Sequence, residues 1–234
     1  MPPPMPQGDA IRNMFSGIAG RYDLTNRVLS FGMEGLWRNK LVALATADSP
    51  RDIADLATGS GVVAYALKAK APGARVRGYD FCEPMLAVAE KKQADVPASG
   101  KIPFAVGDCM ALPIPDASLD ALTIAYGVRN FEDRPRGLRE LRRVLRPGGA
   151  AYIMEFTQPA GWMKPFYFVY LKTLLPPVAW LATGDRKAYE YLGGSIRSFP
   201  SKEAVADELR AAGFREVKAI GLTGCIVAIH IATV

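Results

Sequence analysis

Asp55, Asp80 and Asp108 each close a short, largely apolar segment, and each is followed by a turn. The first opens Asp55-Leu56-Ala57-Thr58-Gly59-Ser60-Gly61, directly after Ile53-Ala54. Gly59 and Gly61 let the backbone bend sharply and approach a ligand with no Cβ in between. Ser60 adds a hydroxyl, and a helix predicted over Val62–Lys70 would aim its N-terminal amides at the same ligand. Taken as Gly59-Ser60-Gly61-Val62-Val63-Ala64, the segment also fits the G-x-G-x-x-A pattern of dinucleotide sites, so alone it does not name a cofactor.

The later acids narrow the chemistry. Asp80 ends the segment Val76-Arg77-Gly78-Tyr79-Asp80, where a carboxylate can accept from both hydroxyls of an adenosine ribose. Asp108, after Phe104-Ala105-Val106-Gly107, can accept from an adenine amine while the amide of Cys109 meets a ring nitrogen. Asp55 would orient an amino group at the other end of the ligand. Tyr126 ends the apolar run Leu119–Ala125 and leads into a loop that carries Arg129 and Asn130. A nicotinamide site does not require Asp108 or the later Pro147-Gly148-Gly149 turn, whereas an adenosyl sulfonium site accounts for both. For each acid singly, a helix cap or turn acceptor is the ordinary alternative.

The elements that must hold these residues alternate. Strands are predicted through Ile53-Ala54 into the Gly-rich turn, over Val76–Asp80, from Phe104 to the acid Asp108, and from Leu119 into the loop at Tyr126-Gly127, with a fifth over Ala150–Phe156. A helix over Pro135–Leu145 stops at Arg146-Pro147-Gly148-Gly149, because proline and glycine cannot continue it. Alternation of this kind implies an α/β fold with a parallel sheet covered on both faces. A helical region over residues 9–47 precedes it, and a helical insertion spans about 161–195. Ser201 is a predicted cap for a helix that Gly213 ends. Strands Glu216–Leu222 and Cys225–Ala232, joined by Thr223-Gly224, form a predicted terminal hairpin. Residues 1–8 are expected to be a mobile tail and 9–234 a single domain.

Bulk properties exclude several classes of chemistry. Half of the 234 residues are hydrophobic, enough for one substantial core. The three cysteines, Cys82, Cys109 and Cys225, are scattered, and His230 is the single histidine. A zinc site is therefore not expected, nor is a Ser-His-Asp triad. No secretion signal is expected from the first residues, which points to the cytoplasm. The net charge of +6 draws on Arg134, Arg136, Arg139, Arg142, Arg143 and Arg146, which read as a solvated helix face; no nucleic-acid partner is expected. The stretch Trp162–Trp180 is apolar around most of its circumference yet interrupted by Lys164, Pro165, Lys172, Pro176 and Pro177. It suits a cap on the sheet, a wall for a lipid tail, or a shallow contact at the inner face of a membrane.

A set of ordered motifs carries a closer resemblance. Phe15-Ser16-Gly17-Ile18-Ala19-Gly20-Arg21-Tyr22-Asp23, Ser30-Phe31-Gly32, Trp37-Arg38, Ala111-Leu112-Pro113-Ile114-Pro115-Asp116, Tyr126-Gly127-Val128-Arg129-Asn130, Glu155-Phe156 and Tyr191-Leu192-Gly193-Gly194-Ser195-Ile196-Arg197 run almost the length of the chain. In these the chain resembles the ubiquinone/menaquinone biosynthesis C-methyltransferases. The resemblance implies a Rossmann-like, seven-stranded class I S-adenosylmethionine-dependent methyltransferase with an N-terminal helical lid. It implies S-adenosyl-L-methionine as cofactor and a prenylated quinol as substrate, with a homo-oligomer or a quinone-synthesis complex among its partners. Cofactor residues would be Asp55, Gly59, Ser60, Gly61, Asp80, Asp108, Cys109 and Tyr126. Arg129, Asn130 and Tyr22 would be catalytic, Arg129 against an alternative as the ion-pair partner of Asp133 or Asp120. Thr58 stands where the family usually carries glycine, and Val62 where it often carries aspartate, so a methyltransferase for another aromatic acceptor and a non-catalytic cofactor-binding subunit remain open.

Overall fold

A computed structural model describes Ser30, residues 32–173 and residues 193–234. In chain order these form α1 (Met33–Ala45), β1 (Asp52–Leu56), α2 (Val62–Lys70), β2 (Arg75–Asp80), α3 (Glu83–Lys92), β3 (Phe104–Val106), β4 (Leu119–Ala125), α4 (Arg134–Val144), β5 (Leu145–Phe156), α5 (Lys164–Thr173), α6 (Lys202–Ala211), β6 (Glu216–Leu222) and β7 (Val227–Thr233). The tail at 1–8, most of the expected N-terminal helical region, Tyr22, Asp23 and part of the insertion lie outside the described residues.

The strands form one seven-stranded sheet in the order β3-β2-β1-β4-β5-β7-β6. β1 to β5 run parallel, and β7 enters antiparallel between β5 and β6. Alternate residues of each strand face opposite sides, so Ile153 of β5 joins Leu138, Leu141, Val205 and Leu209 under α4 and α6. Its neighbour Met154 joins Leu41 and Leu67 under α1 and α2 on the other face. β1 is buried along its whole length, as a central parallel strand must be.

Several boundaries differ from the sequence expectation; β3, for one, ends at Val106 and leaves Asp108 in the loop. β5 begins at Leu145, because the Pro147-Gly148-Gly149 segment folds into the strand as a bulge, with the register shifting between Leu119 and Ala121. The β6–β7 connection takes up Thr223 to Ile226, with Thr223, Gly224 and Cys225 all at positive φ, and is longer than a two-residue turn. Ser201 caps α6 as expected, its hydroxyl accepting from the Ala204 amide at 3.3 Å.

The arginines around α4 are tied into the fold. Arg134 forms a double hydrogen bond with Glu208 at 2.6 and 2.7 Å, joining α4 to α6. Arg142 donates to the Gly213 carbonyl, and Arg143 pairs with Glu140 and Asp116. Arg146 bridges Asp52 and Asp120 at the amino ends of β1 and β4, where Arg75 also pairs with Asp52. His230 lies within β7, buried, with its Nε2 2.8 Å from the Lys202 carbonyl oxygen.

Candidate active site

Strand order reverses between β1 and β4, since β2 and β3 lie to one side and β5 to the other. The crossovers diverge there, leaving a crevice outside the carboxyl ends of the two strands. Every sequence-predicted site residue within the described region lies at the carboxyl end of a strand or in the segment that follows it.

Asp55 sits on β1 in register with Thr123 of β4. Its Oδ1 accepts from the Thr123 hydroxyl at 2.7 Å and its Oδ2 from the Thr58 hydroxyl at 2.6 Å. Burial pushes its pKa up to about 6, against the lowering effect of both hydroxyls and the Ala64 amide. Thr58 therefore turns inward to serve the acid, and is more than added bulk beside a cofactor. Thr123 escaped the sequence reading; its signal was a hydroxyl in the inner half of an otherwise apolar run.

Gly59 and Gly61 have φ of 55° and 78°, so the turn needs the left-handed backbone that glycine adopts without strain. Ser60 is buried between them, and its carbonyl accepts from Lys92 Nζ at 3.0 Å. Asp80 locks this turn to the end of β2. Its Oδ2 accepts from the Gly59 amide at 2.7 Å and its Oδ1 from the Cys82 amide at 2.9 Å. Burial raises the Asp80 pKa, opposed by the amides of Cys82, Gly59 and Phe81.

Asp108 is exposed, and its Oδ1 accepts from the Met110 amide at 2.9 Å, a turn that braces the loop after β3. The neighbouring Cys109 thiol is buried against the Ala57 amide; burial drives its pKa far above the usual thiol range. That thiol packs the β3 loop onto the β1 loop, and its burial disfavours the thiolate.

The loop after β4 is held most tightly. Tyr126 has φ of 60°, uncommon for a residue with a Cβ. Its amide donates to the Met154 carbonyl at 2.8 Å, and its carbonyl accepts from Arg129 Nη1 at 2.5 Å. The same Nη1 donates to Glu155 Oε1 at 2.9 Å, while Glu155 Oε2 accepts from the Arg129 amide at 3.2 Å. Both side chains are buried, with 5% and 1% exposure. The ion pair of Arg129 is thus with Glu155, whereas Asp133 caps α4 and Asp120 pairs with Arg146. The guanidinium also lies 5.9 Å from the Tyr126 ring centroid and 5.6 Å from that of Phe156. Asn130 ends the short 3-10 turn Val128–Asn130, its amide donating to the Gly127 carbonyl. Glu155 was given no role from sequence, although a charged residue next to the end of an apolar strand is an unusual thing to bury.

α5 covers this corner. Tyr167 and Leu171 turn inward onto Phe156 and Ile226. Trp162, Phe166 and Val169 point away and are 70%, 73% and 60% exposed.

The ubiE/COQ5 methyltransferase family profile matches residues 6–234. The chain belongs to this family. It is 47% identical over 220 residues to a demethylmenaquinone methyltransferase of Thermus thermophilus, covering 93% of this chain and 98% of that one. It is 40% identical over 212 residues to the ubiquinone/menaquinone biosynthesis C-methyltransferase UbiE of Geobacter sulfurreducens, covering 90% and 82%. The fold is similar to a SAM-dependent methyltransferase from Aquifex aeolicus (TM-score 0.56, 18% identity, 78% of this chain and 81% of that one). It is also similar to phosphoethanolamine N-methyltransferase 2 of Haemonchus contortus with S-adenosyl-L-methionine (TM-score 0.59, 19% identity, 79% and 39%). The protein is an S-adenosylmethionine-dependent methyltransferase with the class I fold. The donor set fits that cofactor. Buried carboxylates at 55 and 80 suit a cationic amino group and a pair of hydroxyls.

Proposed function

We propose that this enzyme methylates a ring carbon of a prenylated quinol in menaquinone or ubiquinone biosynthesis. The relatives at 40–47% identity over nearly the full chain support the reaction, and the buried Tyr126–Arg129–Glu155 unit at the crevice supports the chemistry. In this reading Asp55 receives the cofactor's amino group, Asp80 its ribose hydroxyls, and Asp108 with Cys109 its adenine. Gly59, Ser60 and Gly61 form the cradle, and the Tyr126 backbone lies beside the methionine end. When bound, S-adenosylmethionine supplies a methyl group made electrophilic by the sulfonium.

The residues of the chain then have three tasks. A quinol is nucleophilic at carbon once a hydroxyl proton leaves, because the phenolate delocalises charge onto the adjacent ring position. Arg129, clamped by Glu155, offers a fixed cationic donor to that oxygen. Asn130 helps to orient the ring and the water that takes its protons, and Tyr22 belongs to the lid over the donor site. Asp55, Asp80 and the Gly59-Ser60-Gly61 turn hold the sulfonium so that its methyl passes to the ring carbon and the sulfur leaves as a neutral thioether with the electron pair of the broken bond. The ring carbon then loses its proton, and aromaticity returns.

The substrate's tail belongs in a bilayer, and the outward face of α5 suits the surface of one. Trp162, Phe166 and Val169 are apolar, Lys164 and Lys172 are exposed beside them, and α5 has no acidic residue. Among the described residues no helix is long and apolar enough to cross a membrane. Methyl transfer from labelled S-adenosylmethionine to reduced demethylmenaquinone, with the oxidised quinone as control, tests the function. Product from the reduced form alone is expected; no product with confirmed cofactor binding would overturn the choice of acceptor.

A further inference from the structure

Glu155 has no part in binding the cofactor or the ring in the account above, yet it is the hub of the corner where both would meet. One carboxylate makes three bonds within the loops: to Arg129 Nη1 at 2.9 Å, to the Arg129 amide at 3.2 Å, and to the Phe156 amide at 2.9 Å. Through Arg129 Nη1 the chain of contacts continues to the Tyr126 carbonyl at 2.5 Å, in a peptide already held at φ of 60°. The position of Tyr126 thus depends on Arg129, and that of Arg129 on Glu155.

Charge matters as much as position. A guanidinium stays protonated at every working pH, so Arg129 brings a permanent positive charge close to where Tyr126 would meet a cation. Two like charges in a poorly solvated corner repel strongly. With Glu155 buried against it, the pair has no net charge, while the guanidinium still directs its donors locally.

We propose that Glu155 is a positioning residue that fixes Arg129 and the Tyr126 peptide, and cancels the Arg129 charge felt by the sulfonium cofactor. The proposal rests on the reading that Tyr126 borders the methionine end. It predicts a signature that a merely structural acid would not produce. S-adenosylmethionine carries a positive sulfur and S-adenosylhomocysteine a neutral one, but they are otherwise almost the same molecule. Loss of the Glu155 charge must therefore weaken the first far more than the second.

The experiment is titration of both ligands into the full chain by calorimetry, for wild type, Glu155→Gln and Glu155→Asp, alongside kcat with the quinol. Glu155→Gln should weaken S-adenosylmethionine on the order of tenfold more than S-adenosylhomocysteine, the scale of one uncancelled charge acting across a partly buried site. Its kcat should fall about a hundredfold, as for a displaced catalytic group. Glu155→Asp keeps the charge but shortens the reach, so it should restore the ligand ratio while kcat stays low. Equal weakening of both ligands in Glu155→Gln would overturn the proposal. If Glu155→Gln fails to fold, Arg129→Met/Glu155→Met removes both charges together and should keep the wild-type ligand ratio; a ratio shifted as far as tenfold would overturn it instead. A wild-type protein that binds neither ligand would sink the cofactor assignment itself, a result separate from an unshifted ratio.

Discussion

Gly127 and Ala57 meet where the loops after β4 and β1 converge: a Cβ on Gly127 would lie 2.7 Å from the Cβ of Ala57. The contact brings the two loops together at the carboxyl ends of their strands. Gly127 has φ of −100°, so alanine is acceptable to the backbone there, and it is the contacts with Ala57 and with Ile124 Cγ1 at 2.9 Å that forbid it. Neither Cβ can rotate away. Gly127→Ala should force the loops apart, costing about 1–3 kcal/mol as overpacking does, and should weaken S-adenosylmethionine. Thermal melting and calorimetry together check this; a stable variant with unchanged affinity would remove Gly127 from the site.

Asp80→Ala should do more than delete a ribose contact. The amides of Gly59 and Cys82 lose their acceptor in a buried place, which costs about 1–3 kcal/mol for each group left unsatisfied. Asp80→Asn keeps one oxygen and should lose less stability, yet should still bind the cofactor weakly. Unchanged affinity in Asp80→Asn would return Asp80 to a purely structural role.

Asp55 links pH to stability and to binding in opposite senses. Its folded pKa of about 6 lies above the unfolded value of 3.8, so the folded state holds the proton more tightly in between. The associated stability is complete below the unfolded value and is lost as pH rises through the folded one. Cofactor affinity should rise over the same interval, because the ionised carboxylate attracts the amino group. Thermal melting with and without S-adenosylhomocysteine, from about pH 5 to about pH 8, should show the two curves diverging upward through pH ~6. His230 has the reverse dependence: burial holds its pKa below 6.5, so its contribution is lost as pH falls beneath that. Asp55→Asn isolates the carboxyl, and a gain in affinity through pH 6 that persists in this variant would refute the assignment.

Arg129→Ala would strand the Glu155 carboxylate in a buried site, and removing one partner of such a pair typically costs about 3–5 kcal/mol. Loss of activity in that variant would therefore be confounded with unfolding. Arg129→Lys keeps the charge and loses the planar guanidinium whose Nη1 bonds both Tyr126 and Glu155. It should melt close to wild type and turn over about a hundredfold more slowly, with S-adenosylhomocysteine affinity nearly unchanged. Wild-type turnover in a folded Arg129→Lys would show that charge alone suffices.

The outward face of α5 can be separated from catalysis. Trp162→Ser/Phe166→Ser/Val169→Ser should bind vesicles of anionic phospholipid at least about tenfold more weakly, since three apolar side chains no longer enter the interface. Turnover on a short-tailed, water-soluble quinol should stay at the wild-type level. Vesicle sedimentation indistinguishable from wild type would dismiss this face as a membrane contact.

The alternation of apolar runs with helices, the acids at 55, 80 and 108, and the glycines at 59 and 61 were legible because each is a local signal. A strand's period, a turn's need for positive φ and a helix cap are decided within a few residues. The order of these signals was enough to choose an adenosyl sulfonium over a dinucleotide, and the longer motifs to name the family. Partnership was not legible, because it depends on which segments the sheet order makes neighbours. β1 and β4 lie side by side although their residues are 68 apart in Thr123 and Asp55, and only that register gives Asp55 its hydroxyl. The same holds for Arg129, whose sequence neighbours Asp133 and Asp120 looked like its counterions. Strand β5 instead brings Glu155 beneath it, and burial there makes the pair consequential. Sequence determined which chemical groups are present and the local geometry of each. Tertiary structure decided which of them touch, because burial and charge pairing are properties of packed neighbours and not of any one segment.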